Sequence, residues 1–361
     1  MKRTKIRISL LSGVLLLMLS AVLLVLANNA EGFAQWYSVT VYAALVHTIG
    51  RFFGLLSFSA AEVLLYITAA VLVSAVIWMI RSLLTDRDAK KSVQNMLHGC
   101  FLGASILFFL YVVNCGVNYH RDSFAESIGL ELEDYTVEEL ECICRMLTEE
   151  VNALAEQVQR DERGIMLLGQ DIQADAVRAM ERLAQTYPVL QGYYPQPKGL
   201  MIPWILSVQQ ISGIYSPFTI EANYNSGMVD YNIPFTACHE LSHLRGFMQE
   251  EEANFIAYLA CSGSDVTEFR YSGNLLAWIY CTNALYRADY ECWTALRAEL
   301  SVWADFDLKE NSAYWRKYDG QVAEIADKVN DNYLKANGQT EGIKSYGRMV
   351  DLMAAYYKEL Y

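Results

Sequence analysis

The chain has 361 residues, is 53% hydrophobic and carries a formal net charge of −13. The charge is divided unevenly: residues 1–117 hold 9 Lys/Arg against 4 Asp/Glu, a balance of +5, and residues 118–361 hold 19 against 37, a balance of −18. An acidic C-terminal two thirds with no basic aromatic patch excludes nucleic acid as a partner, and the apolar excess directs attention to membrane segments.

In chain order, three apolar runs come first, at residues 8–27, 61–80 and 98–117. Each is long enough to cross roughly 30 Å of hydrocarbon as a helix. Glu62 is their one formal charge, at the edge of the second run. Lys2, Arg3, Lys5 and Arg7 precede the first run as they would in a signal peptide, but the run is long for a leader and no small-x-small site follows. Four basic residues thus lie before the first run, and Arg81, Arg87, Lys90 and Lys91 lie between the second and third. Only Arg51 lies between the first and second. This asymmetry predicts a multi-pass cell-membrane protein with its N-terminus in the cytoplasm and everything after about Asn118 outside. Residues 31–60, with Trp36, Tyr37 and His47, read as an amphipathic helix at the outer interface.

Residues 1–117 are therefore expected to form a three-helix membrane anchor, and 118–361 one extracytoplasmic domain, with the lipid bilayer as a partner. The expected fold class is mostly α (α+β), mainly helical with a small β-sheet. Thr136 and Glu139 form a capping box that opens a helix to about residue 159, and 171–187 is a second amphipathic helix. The Pro- and Tyr-rich stretch 192–231 is where a sheet belongs, with 218–225 the best strand. Helices are expected from about residue 235, then at 273–286, 290–303, 312–334 and 345–360. Six cysteines follow residue 118; Cys142 and Cys144 are too close on one helix to bridge, and buried free thiols are expected.

The stretch PFTACHELSHLRGFMQEEEANFIAYLA (234–260) carries the chemistry. His239 and His243 are one helical turn apart, so both imidazoles can reach one ion. Zn2+ suits two imidazoles and a carboxylate with a fourth position left for water, and Glu240 sits where it can take that water's proton. Gly246 is a helix stop, after which a helix beginning EEEAN can fold back. Glu250 or Glu252 could then supply the third ligand, with Glu251 in solvent.

This stretch resembles gluzincin-type metallopeptidases, in which HExxH is followed on a later helix by Glu-x-x-Ala-Asp or Glu-x-x-Ala-Asn. The match here is Glu250-x-x-Ala253-Asn254. The resemblance implies a zincin-like domain with His239, His243 and Glu250 as ligands, Glu240 as catalytic base and Asn254 orienting a ligand histidine. More widely, the chain resembles an uncharacterised bacterial family of membrane-anchored zincin-like proteins, a domain of unknown function. That likeness rests on the anchor, the 234–260 stretch, FRYSGNLLA (269–277) and the segment 330–353. Two departures stand out. The step from His243 to Glu250 is short for a gluzincin, and in the metzincin pattern HExxHxxGxxH the last position is here Gln249.

The expected function is a zinc-dependent metallopeptidase that cleaves peptides, or another cell-envelope amide, outside the cytoplasm. The alternative is a non-catalytic zinc-binding sensor or interaction domain. The strand at 218–225 would hold an extended substrate beside the metal helix. Tyr224, Tyr231, Tyr271 and His120 are candidate donors to a developing oxyanion.

Overall fold

Runs of apolar residues without helix breakers dominate the first third, and the backbone there is almost wholly helical. The structure, a computed structural model, describes residues 2–85, 89–337, 339 and 348–360. The chain divides into two units: residues 1–121 with 216–221, and residues 122–215 with 222–361. Arg87 and residues 338 and 340–347, which entered the readings above, lie outside the described residues.

The first unit holds α1 (Lys2–Asn29), α2 (Ala60–Thr85) and α3 (Ala89–Asn114). All three are long and apolar enough to cross a membrane, over Ile8–Asn29, Ala60–Thr85 and Val93–Asn114. Large apolar side chains such as Leu11, Val22, Val71 and Ile77 are exposed, as on helices whose surroundings are hydrocarbon rather than water. The third span differs from the expected 98–117. Helix α3 ends at Asn114, and Gly116–His120 winds into a 3-10 turn after Cys115 leaves helical geometry. Residues 33–54 form a helical run in which α-turns alternate with π-turns. Tyr37, Ser38, Tyr42, Val46 and Gly50 are buried, and Trp36, Val39, His47 and Phe52 are exposed, so the segment is amphipathic as expected. Tyr37 Oη donates to the Val113 carbonyl at 2.9 Å, and Ser38 Oγ donates to Asn118 Oδ1 at 2.7 Å. Within this unit the carboxylate of Glu221 accepts the amides of Ala60 and Ala61 at 3.2 and 2.8 Å, at the electropositive start of α2.

The second unit is built on helices. α4 (Phe124–Ile128) and α5 (Val137–Ala155) both begin with capping boxes, the second formed by Thr136 and Glu139 as their spacing predicts. α6 (Ile172–Thr186) follows, then strand β1 (Lys198–Gly199), the short α7 (Trp204–Ser207), β2 (Gly213–Ser216) and β3 (Glu221–Tyr224). The sheet order is β1-β3-β2, with β1 parallel to β3 through Lys198↔Asn223 and Gly199↔Tyr224. The expected strand 218–225 is thus corrected at its start: Pro217 and the left-handed Ile220 (φ 52°) keep residues 217–220 out of the sheet.

Three helices form the centre of the unit: α8 (Asn232–Leu244), α9 (Glu250–Ser262) and α10 (Thr267–Ala288). α8 and α9 are buried almost throughout and α10 along half its length, and Phe247, Phe255, Phe269 and Tyr271 are fully buried in the core. α10 also packs on α5, where Trp278 Nε1 donates to Thr148 Oγ1 at 2.9 Å. α11 (Tyr290–Glu299), α12 (Val302–Arg316), α13 (Gln321–Ala336) and α14 (Met349–Leu360) complete the chain. Several helix boundaries differ from expectation: the helix expected to reach about residue 159 ends at Ala155, and the 273–286 helix already begins at Thr267. The 290–303 helix stops at Glu299 because Ser301 caps a new helix at the Trp303 amide, and the 312–334 helix is split around Gly320. The buried Asp307 on α12 binds Arg160 Nη1 at 2.9 Å, the Met166 amide at 2.9 Å and the Tyr271 hydroxyl. All eight cysteines are free; Cys144, Cys238, Cys261 and Cys281 are buried as expected, whereas Cys142 is exposed and Cys292 partly so.

Candidate metal centre

The site begins with the burial of α8. Its first turn is held to α10, where the Phe235 amide donates to Ser272 Oγ at 3.1 Å and Ser272 Oγ donates to the Tyr231 carbonyl. Its last turn closes on Gly246, whose φ of 89° a side chain would strain. The Gly246 amide donates to His243 O at 2.8 Å and the Phe247 amide to Ser242 O at 3.2 Å, a Schellman closure that satisfies the helix's last carbonyls. Six residues after Leu244 the chain is helical again, and α9 runs back along α8.

This turn brings three of the expected side chains to one point. His239 Nε2 lies 3.2 Å from Glu250 Oε2, and His243 Nε2 lies 3.7 Å from Glu250 Oε1. The imidazole centroids are 4.6 Å apart with planes at 87°. One ligand atom from each of His239, His243 and Glu250 lies within 4.8 Å of the other two. Bonds of about 2.0–2.2 Å to a tetrahedral ion place ligand atoms roughly 3.4 Å apart, so a small contraction converts this cluster into a coordination shell.

The surroundings prepare the donors. His243 Nδ1 donates to the Phe247 carbonyl at 2.8 Å, which fixes the tautomer and leaves Nε2 as the free donor atom. His239 Nδ1 is buried without a hydrogen-bond partner among the described residues, and Asn254 lies close enough to His239 to favour its charged form. Burial lowers the His239 pKa against that pull. For His243 burial also acts downward, but the nearby Glu250 charge, with Glu240, outweighs it and holds the pKa up at about 9. Burial pushes the Glu250 carboxyl upward, and the two histidines pull it well below the usual carboxylate range.

Glu240 points elsewhere. Burial raises its pKa to about 8, with Glu250 adding to the rise and His243 and the Tyr215 amide opposing it. The contact with Tyr215 puts Glu240 against the edge strand β2. There is room for it only because residue 213 is glycine: a Cβ at that position would stand 2.5 Å from Glu240 Oε1 and 2.6 Å from Thr236 Cγ2. Glu240 Oε2 is buried without a hydrogen-bond partner among the described residues. An unpartnered buried carboxylate oxygen close enough to feel the His243 and Glu250 charges suits a base that receives a proton from a water.

The other expected residues are placed differently. Glu252 accepts the Phe124 amide at 2.6 Å and so is committed to the start of α4 rather than to the triad. Glu251, expected in solvent, is partly covered: Gln339 Nε2 donates to it at 3.2 Å and Arg348 lies 3.9 Å away. Tyr231 is wholly buried and feels the Asp307 charge, and Tyr271 donates to Asp307. Tyr224 accepts from Gln173 at 2.9 Å, and His120 belongs to the first unit. The strand that meets Glu240 is β2, not the expected 218–225, whose ordered part, β3, is central in the sheet. A residue the sequence did not single out is Tyr280 on α10, whose pKa is raised by burial and by the Glu250 charge, with Asn254 opposing the rise. No spacing links Tyr280 to the motif; only the packing of α10 on α9 does.

A family model described as "Protein of unknown function (DUF3810)" matches residues 37–354. No curated protein and no solved structure matches the chain.

Proposed function

We propose that this chain, which belongs to the DUF3810 family of proteins of unknown function, is a zinc-dependent metallopeptidase of zincin type. In this reading three membrane helices anchor it and its site works outside the cytoplasm. One observation carries the reading: the Glu250 carboxylate lies within 3.2 and 3.7 Å of the Nε2 atoms of His239 and His243.

His239, His243 and Glu250 would hold the ion. When bound, zinc would supply Lewis acidity and lower the pKa of a water at the site. Glu240 takes a proton from the attacking water and delivers it to the leaving amine. Its carboxylate is positioned by Tyr215 and by the space above Gly213. The edge strand β2 offers backbone groups to an extended peptide, which would bring the scissile bond past Glu240. Tyr280, which feels the Glu250 charge, is the hydroxyl this reading assigns to the developing oxyanion.

The test is metal content and hydrolysis on the full chain in detergent. One zinc per chain is expected, lost in His243→Ala and Glu250→Ala and kept in Glu252→Ala and Glu240→Gln. Peptide hydrolysis should vanish in Glu240→Gln. If Glu252→Ala loses zinc and Glu250→Ala keeps it, the ligand assignment is wrong. If Glu240→Gln cleaves at the wild-type rate, the alternative of a non-catalytic zinc domain is what remains.

A further inference from the structure

Between Lys198 and Glu221 the sequence has no Asp, Glu, Lys or Arg. Over residues 118–361 the charged residues number 19 + 37 = 56 of 244, or about five in a stretch of this length. The gap includes the loop that leaves β1, where Met201, Ile202 and Trp204 are 57%, 50% and 60% exposed. The loop is nonetheless firmly held. The Leu200 amide donates to Tyr224 O at 3.1 Å, Ser226 Oγ donates to Leu200 O at 2.7 Å, and Leu206 is buried beneath the turn that Pro203 opens. Three large apolar side chains, one of them Trp, are therefore held outward on a rigid, uncharged support.

We infer that residues 201–204 form a membrane-inserting loop, with Trp204 at headgroup level and Met201 and Ile202 reaching the acyl boundary. The bilayer is the favoured occupant because the chain carries its own membrane helices within covalent reach. Seven residues separate Asn114, the end of α3, from Asp122, where the second unit starts. The eight Cα steps between them span at most about 29 Å. The contrast with α13 supports the choice. Its exposed Val322, Ile325 and Val329 are interleaved with Glu324, Asp327 and Lys328, charges that hydrocarbon would reject. The inference does not depend on the zinc site.

The test uses the full chain in phosphatidylcholine/phosphatidylglycerol proteoliposomes. Cys100, Cys142 and Cys292 are replaced by Ser, and nitroxide labels are placed singly through Met201→Cys, Ile202→Cys, Trp204→Cys and, as an aqueous control on α6, Glu181→Cys. Collisions with oxygen should rise, and collisions with a water-soluble nickel chelate fall, at the three loop positions relative to residue 181. Equal nickel accessibility at the loop and at residue 181 would overturn the inference. So would labels shielded from both reagents, which would indicate a protein partner or a second copy covering the loop.

Discussion

Gly213→Ala gives the sharpest test of how the candidate site is assembled. The new Cβ would stand 2.5 Å from Glu240 Oε1, 2.9 Å from Glu240 Cγ and 2.6 Å from Thr236 Cγ2, whereas ordinary contact begins near 3.4 Å. The carboxylate must therefore shift by roughly 3.4 − 2.5 = 0.9 Å. It is buried, and Thr236 on its own helix is in the way as well. A displacement of about 1 Å at a catalytic group costs on the order of 10²-fold in rate. Overpacking should also cost about 1–3 kcal/mol of stability. The three atoms nearest the new methyl belong to Glu240 and Thr236 rather than to a ligand, so zinc content should be unchanged. The assay pairs zinc per chain with the turnover of a quenched-fluorescence peptide pool, at a temperature where the variant's melting curve shows it folded. A variant with wild-type turnover, or one that loses zinc in step with activity, would refute the proposed division between Glu240 and the triad.

Other outcomes follow from the same geometry. Tyr280→Phe should lower turnover about 10²-fold or more and leave zinc content intact, if its hydroxyl stabilises an oxyanion. In the metal-free protein the His243 pKa is raised from 6.5 to about 9, a contribution to stability that is full below 6.5 and lost as pH rises to about 9. The Glu240 pKa, raised from 4.5 to about 8, makes ionisation increasingly costly up to that pH, so the two effects add. The metal-free melting temperature should thus fall from pH 6 to pH 9, and zinc should reduce the slope; a flat metal-free profile would contradict the coupling. Asp307→Ala strips the buried Arg160 of its carboxylate and should cost about 3–5 kcal/mol, read as a melting temperature lower by roughly 10 °C. Thiol labelling of the native protein at pH 8 should modify Cys142. It should spare Cys144, whose pKa burial lifts to about 12, and the buried Cys238, Cys261 and Cys281 until denaturant is added.

The i, i+4 spacing of His239 and His243 needed no tertiary information, because helical geometry alone puts both rings on one face. The capping box at Thr136 and Glu139 and the three apolar spans were legible for the same reason: each is a short-range pattern that fixes its own local structure. Only the family resemblance implied Glu250; the choice between Glu250 and Glu252 was left open by the residues alone, since both open the same helix. It turns on the Gly246 closure, which sets the approach of α9, and on the Phe124 amide, 128 residues away, which takes Glu252. The strand beside Glu240 was misplaced because alternation marks strands without marking which one lies at a sheet's edge. Gly213 had no signal at all, since its meaning is the empty space that Glu240 fills.

By itself, then, the sequence determined the helices, the membrane spans and the two-histidine face, all products of contacts within one or two turns. Only the tertiary structure brought Glu250 to the two histidines, Tyr215 to Glu240 and Tyr280 into reach of the Glu250 charge. These depend on which distant backbone groups compete for the same side chains, and that competition is settled by packing.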